Sequence, residues 1–360
     1  MLSKFYGIKF ISELKRVGRG KLILLLVFAS WIAWLLFALI PPPYNFWCLA
    51  LNGFPLGMLW GIVFSYVEGR RATDVISAAL AVSFIFGSGV AKSVASFVMN
   101  SWGVSEYWMP FVVGLIFFVP LLLLVWCLEK LPEPDEADMA ARMKRLPMTK
   151  TERAQLLKNF LPGIVLLVLI YIMVTILREV RDSFMADMWR ESGESFNASV
   201  FAKTETIISL GILVIIAVMV TVKDNFTAFM STLVIMLSGF LVAGIATWLH
   251  LAHVIPLLYW MVFAGLGLYL VYIPYNSILF ERFIATYRFA GNVGFLIYIA
   301  DSFGYLGSVA VVLSKSVFSV KLQWLQFYYT LISVTAVTGV IVTLVCIIYF
   351  ARKKRAVAIT

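Results

Sequence analysis

Apolar residues run for about twenty positions at a time along this chain, and polar or helix-breaking residues fall between the runs. Such windows lie at roughly 21–40, 47–67, 75–97, 108–128, 161–180, 204–222, 227–249, 254–277, 291–313 and 328–350, about ten in all. At about 1.5 Å of rise per residue, a run of that length crosses a ~30 Å hydrocarbon core as one helix. Breakers separate most of them: "PPPYN" at 41–45, "NSWGVSEYW" at 100–108, "KDN" at 223–225 and "LHLAHVIP" at 249–256. The pattern predicts an all-α, polytopic membrane protein, since a barrel would show shorter alternating segments.

Composition agrees with this. The chain is 62% hydrophobic and 13% charged, which a water-soluble domain could not sustain without large exposed apolar patches. Its net charge of +10 would suit a nucleic-acid partner, but the charges lie in loops between spans, so none is expected. Most of the 29 Lys and Arg fall in the segments that share a side with the N-terminus. By the positive-inside rule both termini are cytoplasmic and the spans are even in number. The stretch "MLSKFYGIKFISELKRVGRGK" is basic and amphipathic and carries no cleavable signal, so the first span is expected to stay in the membrane.

The longest cytoplasmic loop divides the spans four plus six. The expected organisation is an N-terminal half-bundle over 1–128, a central loop over 129–160 and a six-helix half-bundle over 161–360. Cys48, Cys127 and Cys346 show no pairing pattern, and the "HLAH" histidines His250 and His253 are read as a turn. No metal site and no cofactor are expected. No span pairs a nucleophile with a base, and no Gly-rich phosphate loop occurs, so an enzyme is not expected either.

Charges inside spans are costly, at about 2.5–3.5 kcal/mol each, and usually face an aqueous cavity or a partner. Lys92 lies within the third span among small residues. Asp301 is near the middle of the ninth, where a carboxylate suits a proton carrier or a counter-charge. Around Pro274, Tyr272, Tyr275 and Asn276 suit a cavity wall, because proline frees backbone carbonyls and tyrosines offer hydroxyls. In the fifth span, Tyr171, Thr175, Arg178, Asp182, Met185 and Trp189 recur at steps of three or four and share one face. Arg178 and Asp182 continue its polar stripe outward, Glu179 and Arg181 point elsewhere, and Asp187 to Glu194 belong to a solvated outer loop. Thr204 and Glu205 read as a helix N-terminus.

On topology and loop placement the chain resembles the major facilitator superfamily, its ten spans standing for that family's helices three to twelve. "LNGFPLGMLWGIVFSYVEGRRATD" is similar to helix four, and "YIPYNSILFERFIA" closes the corresponding helix ten with Glu-Arg. The resemblance implies a cytoplasmic gate formed by Glu68, Arg70, Arg71, Glu281 and Arg282. "YIMVTILREVRD" also resembles helix seven of the organophosphate:phosphate antiporter branch, which implies that Arg178 clamps an anionic group. "GIKFISELKRVGRGK" keeps the basic finish of the loop between helices two and three and lacks its aspartate.

The expectation is a secondary transporter of a small organic anion, phosphorylated or carboxylated, working by alternating access. It would sit in a bacterial cell membrane, surrounded by lipid, with a proton or counter-ion as coupling partner. Arg178, Tyr171, Asp182, Lys92, Tyr272, Tyr275 and Asn276 would bind substrate, and Asp301 would carry the proton. The competing expectation is an N-terminally shortened, non-transporting scaffold or sensor.

Overall fold

A computed structural model describes residues 18–67, 73–132, 150–287, 293–318 and 323–359. Among them the structure is helical and without strands. The helices are α1 (Arg19–Leu39), α2 (Phe46–Val67), α3 (Thr73–Trp102), α4 (Met109–Glu129), α5 (Lys150–Glu191), α6 (Val200–Val220), α7 (Asn225–Leu251) and α8 (Leu257–Pro274). A π-helical turn, Tyr275–Leu279, leads into α9 (Phe280–Tyr287), followed by α10 (Val293–Phe318) and α11 (Trp324–Ile359).

Eight segments among the described residues are long and apolar enough to cross a membrane. The other two expected spans are helical as well, α2 and α10, with shorter apolar runs over Phe46–Leu59 and Ile299–Val311. A multi-pass helical membrane protein follows. Its outward faces carry large apolar side chains such as Leu169, Val214, Ile245 and Val337, as lipid-facing helices must.

The fifth span is longer than the apolar window suggests. α5 already begins at Lys150, inside the expected central loop, and continues to Glu191, through residues expected to form an outer loop. Its last turn carries the exposed pair Arg190–Asp187 at 3.6 Å, so this end is solvated while still helical.

The chain forms two compact units, 1–77 with 90–142 and 78–89 with 143–360. In the first unit, the amide of Asn52 on α2 donates to the carbonyl (3.1 Å) and hydroxyl (2.5 Å) of Ser30 on α1. The Trp31 indole donates to the Phe111 carbonyl at 3.0 Å and stacks on that ring. Glu129, closing α4, accepts from the Gly20 backbone N–H at 2.7 Å and the Tyr66 hydroxyl at 2.5 Å. Its charge therefore meets the N-terminal end of α1, where the helix dipole favours an anion.

In the second unit, α5 packs against α10 and α11, α7 against α8 and α11, and α6 against α8. Asp224 caps α7 by accepting from the Thr227 N–H at 2.7 Å. The Thr227 hydroxyl, and after it this N–H, hold the Asp224 carboxyl below its ordinary range. Phe160, Phe229, Phe283, Tyr287 and Phe350 form an aromatic cluster in this unit. Near the other end of α7, the two ring nitrogens of His250 meet the Ile255 carbonyl and the Tyr329 hydroxyl, each at 2.9 Å, and the ring stacks on Trp260. That histidine fastens a turn to α11, and His253 beside it takes a left-handed conformation.

Candidate functional site

Two stripes interlock where α5 and α8 run antiparallel. On α5 they are Tyr171, Thr175, Arg178 and the Arg181–Asp182 pair. On α8 and the π-turn they are Gly265, Tyr269, Tyr272 and Asn276, at steps of three or four. Tyr171 stacks on Tyr275 (centroids 4.6 Å) and Tyr272 (5.9 Å), and the Arg178 guanidinium lies 4.9 Å from the Tyr272 ring centroid.

α10 closes the third side. The Tyr171 hydroxyl donates to Asp301 at 2.5 Å and lies 3.4 Å from Asn276 Oδ1. Gly304 leaves room for this approach: a Cβ there would sit 3.0 Å from both the Thr175 hydroxyl and the Tyr171 ring. Tyr305, one turn beyond Asp301, lies within electrostatic reach of Arg178 and Tyr272.

Proline chemistry explains the local backbone at Asn276. Pro274 has no N–H and loosens the ladder, and the chain widens into the π-turn. The Asn276 amide donates to the Tyr272 carbonyl at 2.9 Å and the Ser277 hydroxyl to the Ile273 carbonyl at 2.8 Å. Side chains thus add donors to carbonyls beside the π-turn, where the regular ladder is interrupted.

Tyr171, Tyr272, Tyr275, Asn276 and Asp301 therefore converge, with Arg178 and Asp182 further along α5. Tyr171 and Tyr275 are buried, and the Tyr275 hydroxyl is engaged by the Leu167 carbonyl at 3.1 Å, so these two support the site from behind. Arg178, Asp182, Tyr272, Asn276 and Asp301 are half-buried. Arg178 contacts Glu179 at 3.4 Å, a neighbour that helical spacing had set on another face, and the Tyr269 hydroxyl lies 3.4 Å from Asp182.

Lys92 is half-buried on the part of α3 that belongs to the first unit. Arg282 donates to Asn225 Oδ1 at 2.8 Å, tying α9 to the start of α7, and Glu281 beside it is half-buried. Glu68, Arg70 and Arg71 lie outside the described residues. Among the described residues no group of three His, Cys, Asp or Glu could hold a metal ion.

The main departure from the sequence reading is Arg181. Read from spacing as lying off the stripe, it turns into the bundle toward another helix. It is 0% exposed, and its Nη1 lies 2.6 Å from Oε1 of Glu205, itself buried on α6. The Tyr269 ring centroid is 5.7 Å from the guanidinium. A Cβ on Gly265 would fall 2.7 Å from Arg181 Nη2, so only glycine leaves the arginine its place. Glu205 is accordingly an interhelical counter-charge and not a simple helix-start residue.

A search among curated proteins finds no match. A family-wide sequence profile described as "Family of unknown function (DUF5690)" matches residues 1–353, nearly the whole chain. The chain belongs to the DUF5690 family.

Proposed function

We propose that this protein is a secondary transporter of the major facilitator type, with both termini cytoplasmic, that moves a small organic anion across a bacterial cell membrane by alternating access. One observation carries the reading: a half-buried arginine, Arg178, stands on a polar stripe within a membrane-length helix, its guanidinium against Tyr272. Charged groups inside membrane bundles mark ligand or ion pathways, and a guanidinium is the bidentate partner of phosphate or carboxylate. On this reading Arg178 clamps the anion. Tyr272, Asn276 and Asp182 line the path, and Tyr171 and Tyr275 hold it in shape. Asp301 takes up the coupling proton. Glu281 and Arg282 belong to the cytoplasmic gate. The protein performs no chemistry on its cargo and uses no cofactor.

Uptake into liposomes tests this. The reconstituted full chain, offered a panel of labelled phosphorylated and carboxylated small molecules, should accumulate at least one of them under an imposed proton gradient. Arg178→Ala should abolish that uptake, and Asp301→Asn should remove its dependence on the gradient. Uptake that Arg178→Ala leaves intact rules out the clamp.

A further inference from the structure

The two ends of the polar stripe carry opposite charges, and among the described residues neither has a buried side chain of opposite charge within ion-pair distance; the half-buried Asp182, one turn along, acts on Arg178 electrostatically. The carboxylate in contact with Arg178 is Glu179 at 3.4 Å, 37% exposed and so screened by water, and the buried Nε of Arg178 has no hydrogen-bond acceptor among the described residues. At the other end, Asp301 receives the Tyr171 hydroxyl, a neutral donor, and no cation among the described residues lies within ion-pair distance of it. The arginine that does find a buried carboxylate is Arg181, one turn away, so α5 pairs one guanidinium internally and leaves the other beside an aromatic wall.

Tyr272 links the two ends: it faces the Arg178 guanidinium on one side and stacks on Tyr171 on the other. Asn276 Oδ1 lies close to the same tyrosine hydroxyl as Asp301, which gives this end two half-buried acceptors. A pure anion would satisfy Arg178 and leave the Asp301 charge uncompensated in a low-dielectric setting, at considerable cost. A ligand with an anion at one end and an ammonium at the other satisfies both.

Resting on the anion-clamp reading above, we infer that the substrate class is a short zwitterion: a phosphoryl-type or carboxylate group on Arg178 and an ammonium between Asp301 and Asn276. Tyr171 and Arg178 are seven residues apart, about 10 Å of helix rise, which puts the separation of the two ends on that order. Subtracting a ~3 Å hydrogen-bonded contact at each end leaves about 4 Å between the ligand charges, which a spacer of two or three carbons spans. A proton and an ammonium are then alternative occupants of Asp301, so protonation of that residue releases the cationic end of the ligand.

Thermal-shift titrations of the purified full chain in lipid nanodiscs test this with matched probes: ethylphosphonate against 2-aminoethylphosphonate, propionate against β-alanine, and 6-aminohexylphosphonate as an over-long zwitterion. In at least one pair the amino compound should stabilise the protein at a tenfold lower concentration than its amine-free partner, and the long zwitterion should lose that advantage. Asp301→Asn should erase the tenfold preference while keeping the response to the simple anion, and Arg178→Gln should erase both. Equal responses to the paired probes in the wild-type chain overturn the zwitterion assignment and leave the clamp standing. No response to any probe, or one that Arg178→Gln does not alter, overturns the clamp and the assignment with it. The wild-type comparison decides the matter even where a variant fails to fold.

Discussion

Arg181 and Glu205 form an ion pair at 2.6 Å with both side chains about 1% exposed, joining α5 to α6 inside the second unit. Because each charge is held away from water, removing one leaves the other uncompensated. Arg181→Met or Glu205→Leu alone should destabilise the protein by about 3–5 kcal/mol, whereas the double variant should recover most of that loss. Unfolding titrations of the four proteins give the coupling directly, and additive losses would contradict the pairing.

Gly265 sets the room available to that arginine. Gly265→Ala places a methyl group 2.5 Å from the Ile208 side chain and 2.7 Å from Arg181 Nη2. It should cost about 1–3 kcal/mol by overpacking. In the Arg181→Met, Glu205→Leu background the same change should cost measurably less.

The hydroxyl of Tyr171 donates chiefly to Asp301, at 2.5 Å, with Asn276 Oδ1 further off at 3.4 Å. Tyr171→Phe keeps the stacked ring and removes only that donor, so the loss should match a hydrogen bond to a charged group, about 1.5–3 kcal/mol. Combined with Asp301→Asn, the effect of Tyr171→Phe should shrink in a double-mutant cycle.

Asp224 offers a test by pH. Its carboxyl, bonded to the Thr227 hydroxyl and N–H, titrates below its ordinary value of 3.8 in the folded protein. A depressed folded-state pKa means that the contribution is present above pH 3.8 and is lost as pH falls through the lower, folded value. Asp224→Ala should therefore lower the melting temperature at neutral pH, with the gap from wild type closing in strong acid. Asp224→Asn, which caps without a charge, should track neither change.

Much of this architecture was legible from periodicity, because bilayer thickness imposes a length on every span and helical spacing assigns its faces. The grouping of Tyr171, Arg178 and Asp182 on one stripe came from steps of three and four, and the polar character around Pro274 came from the carbonyls a proline frees. The same arithmetic contained the missed pair. Ile170, Val174, Leu177, Arg181, Met185 and Met188 also recur at three and four, and all are almost fully buried. An arginine in the register of core residues requires an opposite charge from another helix, and that partner cannot be read from one helix alone. The length of α5 was missed for a different reason: apolar windows mark the bilayer, while a helix continues past it wherever good helix formers follow.

The π-turn at Tyr275–Leu279 has a last consequence for how this chain tolerates change. Beyond it, Phe280 contacts Tyr275 and Phe283 enters the aromatic cluster, while before it Tyr272 faces Arg178. Each residue turns a helix by about 100°, so the widened turn fixes the phase between these two sets of contacts. Deleting one residue in this short segment would leave the span nearly the same length, yet it would rotate everything after it away from its neighbours. Substitutions here change a contact, whereas an insertion or deletion changes which face of α9 the rest of the protein meets.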